Sequence, residues 1–454
     1  MKRLKLTLIL LLGIGGLHAY AQAPLTLQEA LKFALNNNQQ LSRTKMEEEM
    51  GKFKTQEVRS QALPQINGNA NYTDNLKLAQ SLLPGTVIGK PDSSVTITFG
   101  TQYTASVGAE LNQQIFNQAV FTGLKAAKAG EEYYTLQTQK STEDVIYNVS
   151  GLYYQLLVLQ EKIVTVNSNI EKLTQLVNAT QSQYENGLAK KIDLDRIKVN
   201  LTNYKTQRTQ LLNNAATQAN NLKRQLGMPM QSSFTIPRAS LKEIETKAAG
   251  VLQYDDMNLE DRTEFKLIKK QEQLQEFQKK AYLAEYYPTL SLFGRYSYNG
   301  MSQQWAFSKS DPANSTFWYG AAAVGLSLHI PIFDGFGRRS KVSQANVTLR
   351  QLSKQKEEIA LNLNADYENA KLQVRTNLST IHTQKENVDL ANEVYYSTQN
   401  NYKLGLASLT DLLNAETSLA DAQNSYNEAL LQYKMAELDI IKSKGSLKEL
   451  LTNN

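Results

Sequence analysis

The sequence contains no cysteine, and that absence removes disulfides, thiolate catalysis, Cys-ligated zinc, iron–sulfur clusters and a lipid-modified N-terminal Cys. Histidine is nearly as scarce, with three residues, one of which (His18) lies in the N-terminal apolar segment. His329 and His382 stand alone, without a Cys partner, and neither is given a ligand role. Past the first 20 residues no run of 18 apolar residues occurs, and mean hydropathy is −0.44; a helical membrane protein is excluded. A β-barrel is not, because its strands carry only a weak hydropathy signal. Gly-rich phosphate loops and nucleophile elbows are missing, and acidic runs such as Glu47-Glu48-Glu49 and Asp255-Asp256 have no metal-spaced partner. No residues remain for an enzyme or a cofactor. None of the 9 prolines falls within 117–184, 193–226, 337–402 or 411–444.

What is present begins with an address. Lys2, Arg3 and Lys5 precede an apolar run, Leu6 to Leu17, followed by Ala19-Tyr20-Ala21. A charged start, a short apolar stretch and a small-x-small site predict a signal peptide over 1–21, with a mature chain from Gln22. Losing those three cations lowers the formal charge from +6 to +3, too small a balance to point to nucleic acid.

The rest repeats itself. Tyr184-Glu185-Asn186-Gly187-Leu188-Ala189 recurs as Tyr402-Lys403-Leu404-Gly405-Leu406-Ala407, Asp193-Leu194 as Asp411-Leu412, and Gly227 as Gly445, all at an offset of 218. Ile115-Phe116-Asn117 matches Ile332-Phe333-Asp334 at 217, and Leu63-Pro64 matches Tyr287-Pro288 at 224. An internal duplication is expected, with repeats over 22–227 and 259–454 and a linker over 228–258. Each half reads as helix, Pro, strand, loop, strand, long helix, Gly turn, long helix.

Period-two alternation marks the strands. Ile66, Gly68, Ala70 and Tyr72 alternate with Asn67, Asn69, Asn71 and Thr73, and Tyr103 to Leu111 alternate with Thr104 to Asn112. Leu290, Leu292, Gly294, Tyr296 and Tyr298 follow Pro288, and Val324, Leu326, Leu328 and Ile330 precede Pro331. At about ten residues each they have the length of a tilted transmembrane strand. Tyr72, Tyr103, Trp305, Trp318 and Tyr319 near their ends suit an interfacial aromatic girdle. Segments 74–100 and 299–316, rich in Pro, Gly, Ser and Asp, read as external loops.

The helical stretches show heptad spacing. Leu152, Leu156, Leu159, Ile163, Val166, Ile170, Leu173 and Val177 step by four and three, and Ala415, Ala422, Ala429 and Ala436 recur every seven residues. Leu194, Ile197, Leu201 and Tyr204 do likewise on the return helix of the first half. Small residues at that interval let an antiparallel neighbour come close. Polar helix positions such as Gln137, Gln139, Asn167, Asn178, Asn377 and Asn387 suit a water-filled helical tube.

Four strands cannot close a barrel, and an open edge in lipid costs several kcal/mol per unpaired backbone group. Strands that span a membrane must therefore be pooled between copies, and a polar-lined conduit is the economical reading. The chain resembles the TolC-like outer membrane efflux proteins. The resemblance rests on the twofold tip motif at Tyr184 to Leu194 and Tyr402 to Leu412, the Pro-then-strand junctions at Pro64 and Pro288, and Pro331, Phe333, Asp334 and Gly335. It covers essentially the whole mature chain. It implies a mainly α fold with a small β part: a trimeric 12-stranded transmembrane β-barrel, four strands per chain, continued by a long periplasmic α-helical coiled-coil barrel. It also implies the outer membrane of a Gram-negative bacterium, and a homotrimer partnered by a periplasmic adaptor and, through it, an inner membrane pump.

By the same resemblance Asp411 forms a ring of three carboxylates at the periplasmic gate, attracting cations. Three residues on, the family often has a second Asp where this sequence has Asn414, which puts a second acidic ring in doubt. A local role is open as well: Asp411 and Asp193 each stand where a first-turn carboxylate meets free N–H groups. The adaptor is expected at Gly187, Leu188, Ala189, Gly405, Leu406 and Ala407, and Lys190, Lys191 and Arg196 are candidates for pairing with acids that hold the tips shut. The alternative of another class is a periplasmic coiled-coil scaffold or adaptor without a pore. A wide polar tube carries no signature of its cargo.

Overall fold

The Thr26 hydroxyl accepts from the Glu29 amide while the Glu29 side chain accepts from the Thr26 amide, a capping box that starts helix α1 (Leu27–Asn37). The computed structural model describes residues 25–84, 86, 89, 94–237, 257–305 and 316–452. The expected signal peptide lies outside them, as do most of the 228–258 linker and part of each strand connection. After Asn38 the chain continues as α2 (Gln39–Ser60), β1 (Gln65–Asp74), β2 (Ala79–Pro84), β3 (Ser94–Phe99) and β4 (Tyr103–Phe116). Next come α3 (Gln118–Glu185) and α4 (Lys191–Leu226). The second half gives α5 (Thr263–Ala284), β5 (Thr289–Ser302), β6 (Phe317–His329), α6 (Gly337–Lys403) and α7 (Leu409–Lys444). The second half follows the expected order and the first does so with two departures, and the long helices match in length: 68 and 36 residues, then 67 and 36.

Two differences have local causes. The opening helix is broken at Asn38, whose side chain donates to the Gln225 carbonyl at 2.7 Å and accepts from the Leu41 amide at 2.9 Å, capping α2 afresh. Segment 74–100, expected as a loop, holds an antiparallel β2–β3 pair running from Ala79↔Phe99 to Pro84↔Ser94. Val95, Ile97 and Phe99 alternate with Thr96 and Thr98 there, a strand pattern the surrounding Pro and Gly obscure.

The described residues fall into two compact units, each drawing on both halves: one within 1–46, 136–267 and 356–454, the other within 47–135 and 268–355. In the first, the helical seam is the core. Leu156, Val166, Leu173, Leu194, Ile197, Ala415, Leu419, Ala429, Tyr433, Ala436 and Ile440 are buried, many of them heptad positions of the sequence, while Leu152, Leu159, Ile163, Ile170, Val177 and Ala422 of the same stripes are half-buried. Ala30, Leu31 and Ala34 of α1 join them beside Leu222 and Leu226 of α4. Polar helix residues also hold helices together. Gln139 donates to Glu143 and Thr263, and Asn377 donates to the Gln432 carbonyl at 3.1 Å, so these two serve packing and not only a wet surface.

The second unit carries the four-stranded antiparallel sheet, in the order β1-β4-β5-β6. Its register runs through Ile66↔Leu111, Val107↔Tyr298, Leu111↔Gly294 and Gly294↔Val324, with a bulge between Gln114 and Phe116. Among the described residues no helix is long and apolar enough to cross a membrane.

Candidate functional site

Because side chains alternate along a strand, this register sorts the sheet into two faces. Ile66, Ala70, Val107, Leu111, Tyr296, Tyr298, Val324, Leu326 and Leu328 share one face across all four strands. Asn67, Asn69, Glu110, Asn112, Arg295, Ser297 and Ser327 share the other, where Arg295 meets Glu110 at 3.1 Å. The apolar face is exposed, with Val324 78% accessible. An exposed apolar face opposite a polar one is the inverse of a soluble sheet and the pattern of a barrel wall. On the apolar face Tyr72 and Tyr103 cluster with Trp305, ring centroids 5.6 to 6.3 Å apart, and Trp318 stacks on Tyr298 at 5.1 Å. Tyr319 differs from the expected girdle, since alternation puts it on the polar face, where it stacks on Phe317. The outer edges of β1 and β6 have no partner strand among the described residues.

The helical tips are built by the two glycine turns. At the first, the Gly187 amide donates to the Tyr184 carbonyl and the Leu188 amide to the Gln183 carbonyl; at the second, Gly405 donates to Tyr402 and Leu406 to Asn401. This double pattern needs the left-handed conformation that both glycines adopt (φ +75° and +72°), which only Gly reaches without strain. Leu188 and Leu406, the next residues, are 81% and 76% exposed, while Ala189 and Ala407 are half-buried. Two apolar side chains thus stand in solvent at the turns expected to dock a partner.

Asp411 and Asp193 occupy equivalent places with unequal surroundings. At Asp411 the carboxylate accepts from the Ser408 hydroxyl at 2.6 Å and from its amide at 3.0 Å, while the Asp411 amide donates to the Ser408 hydroxyl at 3.2 Å. These hydrogen bonds hold the Asp411 carboxyl below the usual aspartate range. At the other tip the capping position is Lys190, which offers no side-chain cap, so Asp193 is only a first-turn acid. The local role therefore exists at Asp411, and it leaves the residue exposed and ionised. Asn414 lies one turn on, also exposed. Arg196 bonds the Thr410 hydroxyl at 3.0 Å and not an acid, tying the starts of α4 and α7 together.

One charged residue at the tip was not singled out from the sequence. Glu416 lies on the apolar stripe Leu412, Glu416, Ala420 of α7 and is only 5% exposed. The signal was there: a carboxylate at a seam position of a heptad helix. It lines a cavity of about 560 Å³ between the ends of α3 and α6, together with Lys172, Tyr395, Tyr402, Gly405 and Ala407.

The sequence profile of the family described as outer membrane efflux protein matches residues 30–228 and 262–446. Outer membrane protein TolC of Escherichia coli is 23% identical over 462 residues, spanning 99% of this chain and 87% of that protein. Among solved structures, the outer membrane protein VceC of Vibrio cholerae superposes with a TM-score of 0.72 at 16% identity, covering 92% of this chain and 96% of that one. The Campylobacter jejuni CmeC outer membrane channel gives 0.71 at 16% identity, covering 92% and 86%. The fold is thus that of TolC-like channels, the sheet belongs to the outer membrane and the long helices to the periplasmic side, and the family's members are transport ducts, not enzymes. The chain belongs to the outer membrane efflux protein family.

Proposed function

We propose that three copies of this chain form the exit duct of a tripartite efflux or type I secretion system, passively conducting solutes or polypeptides from an adaptor and inner membrane pump to the exterior. The observation that carries this reading is the four-stranded sheet with an exposed apolar face and two open edges. Such edges are costly in lipid, and three copies joined β6 to β1 would remove all of them in a 12-stranded barrel. The matching order of elements in the two halves supports a duplication, with repeats over 22–227 and 259–454 following a 1–21 leader. A soluble scaffold gains no support from a sheet whose apolar side faces outward.

Asp411 then forms the gate ring, with Asn414 behind it as a neutral position. Its capping bonds and the ring charge are compatible, since a lowered carboxyl stays ionised and can attract cations. Single-channel conductance in planar bilayers is the test. Wild-type pores should prefer cations, and Asp411→Ala should lower that preference and the block by trivalent cations, whereas unchanged selectivity would remove Asp411 from the gate. No pores from well-assembled protein would overturn the duct itself.

At the tips, Gly187, Leu188, Ala189, Gly405, Leu406 and Ala407 form the adaptor surface. Leu406→Asp should abolish site-specific cross-linking to the adaptor while trimers still assemble on native gels. Loss of the trimer instead would make Leu406 a structural residue.

A further inference from the structure

The cavity between the ends of α3 and α6 contains a carboxylate without a fixed partner. Glu416 is buried, and its Oε1 has no hydrogen-bond partner. The charged and titratable groups around it lie on the three other long helices as well as its own. Lys172 of α3 is the nearby cation, Tyr204 of α4 and Tyr395 of α6 both feel its charge, and Tyr402 and Lys403 of α6 share the cavity wall. On its own helix Asp421 acts on the same Tyr204. Lys172 makes no ion pair with it, for its Nζ sits over the Tyr395 ring, 4.9 Å from the centroid. Lys172 thus has two places to go, the aromatic face it occupies and the carboxylate it does not.

We propose that Glu416 and Lys172 form a proton-operated latch at the helical tip: protonated Glu416 leaves Lys172 on Tyr395 and the ends of α3 and α6 together, and loss of that proton draws Lys172 and water into the cavity and parts them. The proposal rests on the reading of this end as the docking and gating end, and it names the regulation of that same site.

Three observations bear on it. A buried carboxylate must be neutral or paired, and this one is unpaired. Burial raises its carboxyl from 4.5 to about 7, partly offset by Lys172, so the proton is held at mildly acid pH and released just above neutrality. Between those two values the folded tip keeps a proton that an unfolded chain gives up, so rising pH weakens the closed packing and falling pH restores it. The cavity also contains Gly405 and Ala407 of the docking turn, so a movement of its walls alters the surface offered to a partner.

The chain is free of cysteine, so a pair of labels can be placed without background. Spin labels at Ser182→Cys on α3 and Asn400→Cys on α6, both exposed, report the separation of the two helix ends in the full-length protein. Between about pH 5.5 and about pH 8.5 the distance distribution should widen with a midpoint near neutrality. Glu416→Gln, which is neutral at every pH and nearly isosteric, should hold the acid-form distance throughout. Lys172→Gln should move the midpoint upward by removing the cation that favours the ionised form. A flat response in the labelled wild type, or an unchanged transition in Glu416→Gln, would overturn the latch. The readout requires neither conduction nor an adaptor. Failure of the duct or of docking is seen in bilayers and cross-linking, and failure of the latch only in these distances.

Discussion

Gly227→Ala is expected to destabilise the protein by about 3–5 kcal/mol, combining left-handed backbone strain with an overpacked contact. Gly227 ends α4 at φ +73°, with its amide donating to the Arg224 carbonyl and the next amide to Lys223. A Cβ there would lie 2.1 Å from the carbonyl oxygen of Asn37, the last residue of α1. Backbone cannot swing aside as a flexible side chain can, so α1 would have to move. Its displacement would expose Ala30, Leu31 and Ala34, now fully buried, and disturb the bond from Asn38 to Gln225.

The protein carries its own controls. Gly445 closes α7 at φ +77°, yet a Cβ there would meet nothing nearer than the Asp261 carbonyl oxygen at 3.3 Å, and at Gly187 and Gly405 it would meet nothing within 4 Å. Alanine at Gly187 or Gly405 should therefore cost only the strain, about 1–2 kcal/mol, with Gly445 slightly above. Thermal unfolding followed by circular dichroism, all variants at one scan rate, ranks them. Equal losses at all four positions would mean that backbone conformation alone sets the cost and that α1 does not depend on the end of α4.

Much of this architecture is legible in the sequence because local signals coincide. Proline-free heptads run from Leu152 to Val177 and again through Ala415 to Ala436, and both runs end at glycines that the structure places in helix-terminating turns. The cap at Asp411 is legible too, as Ser408 three residues before an acid that opens an apolar run. Strand partnership is not legible. Nothing in Tyr103 to Phe116 or Thr289 to Ser302 names β4 and β5 as neighbours, since a ladder is chosen by non-local fit of faces and edges. Asn38 reads as one more polar helix residue until Gln225, 187 positions away, comes within its reach. Glu416 escapes for a similar reason: its place on the seam is readable, but its isolation depends on Lys172 lying over Tyr395, a choice made on two other helices.

The sheet offers the most direct reading of which solvent each face meets. Val324 lies near the centre of β6, on the face it shares with Leu326, Leu328, Tyr296 and Ile66. If that face meets hydrocarbon, Val324→Arg near the bilayer midplane costs about 2–4 kcal/mol per copy and, counted over a trimer, about 6–12 kcal/mol. Ser327→Arg introduces the same charge three residues on, but alternation turns it to the face of Arg295 and Glu110, where water replaces lipid. The expected result is loss of Val324→Arg from the outer membrane fraction and of its trimer on gels, with Ser327→Arg assembling normally and changing only conductance. The pair is informative because the same side chain and charge enter one strand, three residues apart, on opposite faces. Equal tolerance would mean that the apolar face is covered by protein instead of lipid, and equal loss would mean that neither face is open to water. Only the asymmetric outcome matches a wall with hydrocarbon on one side and an aqueous lumen on the other.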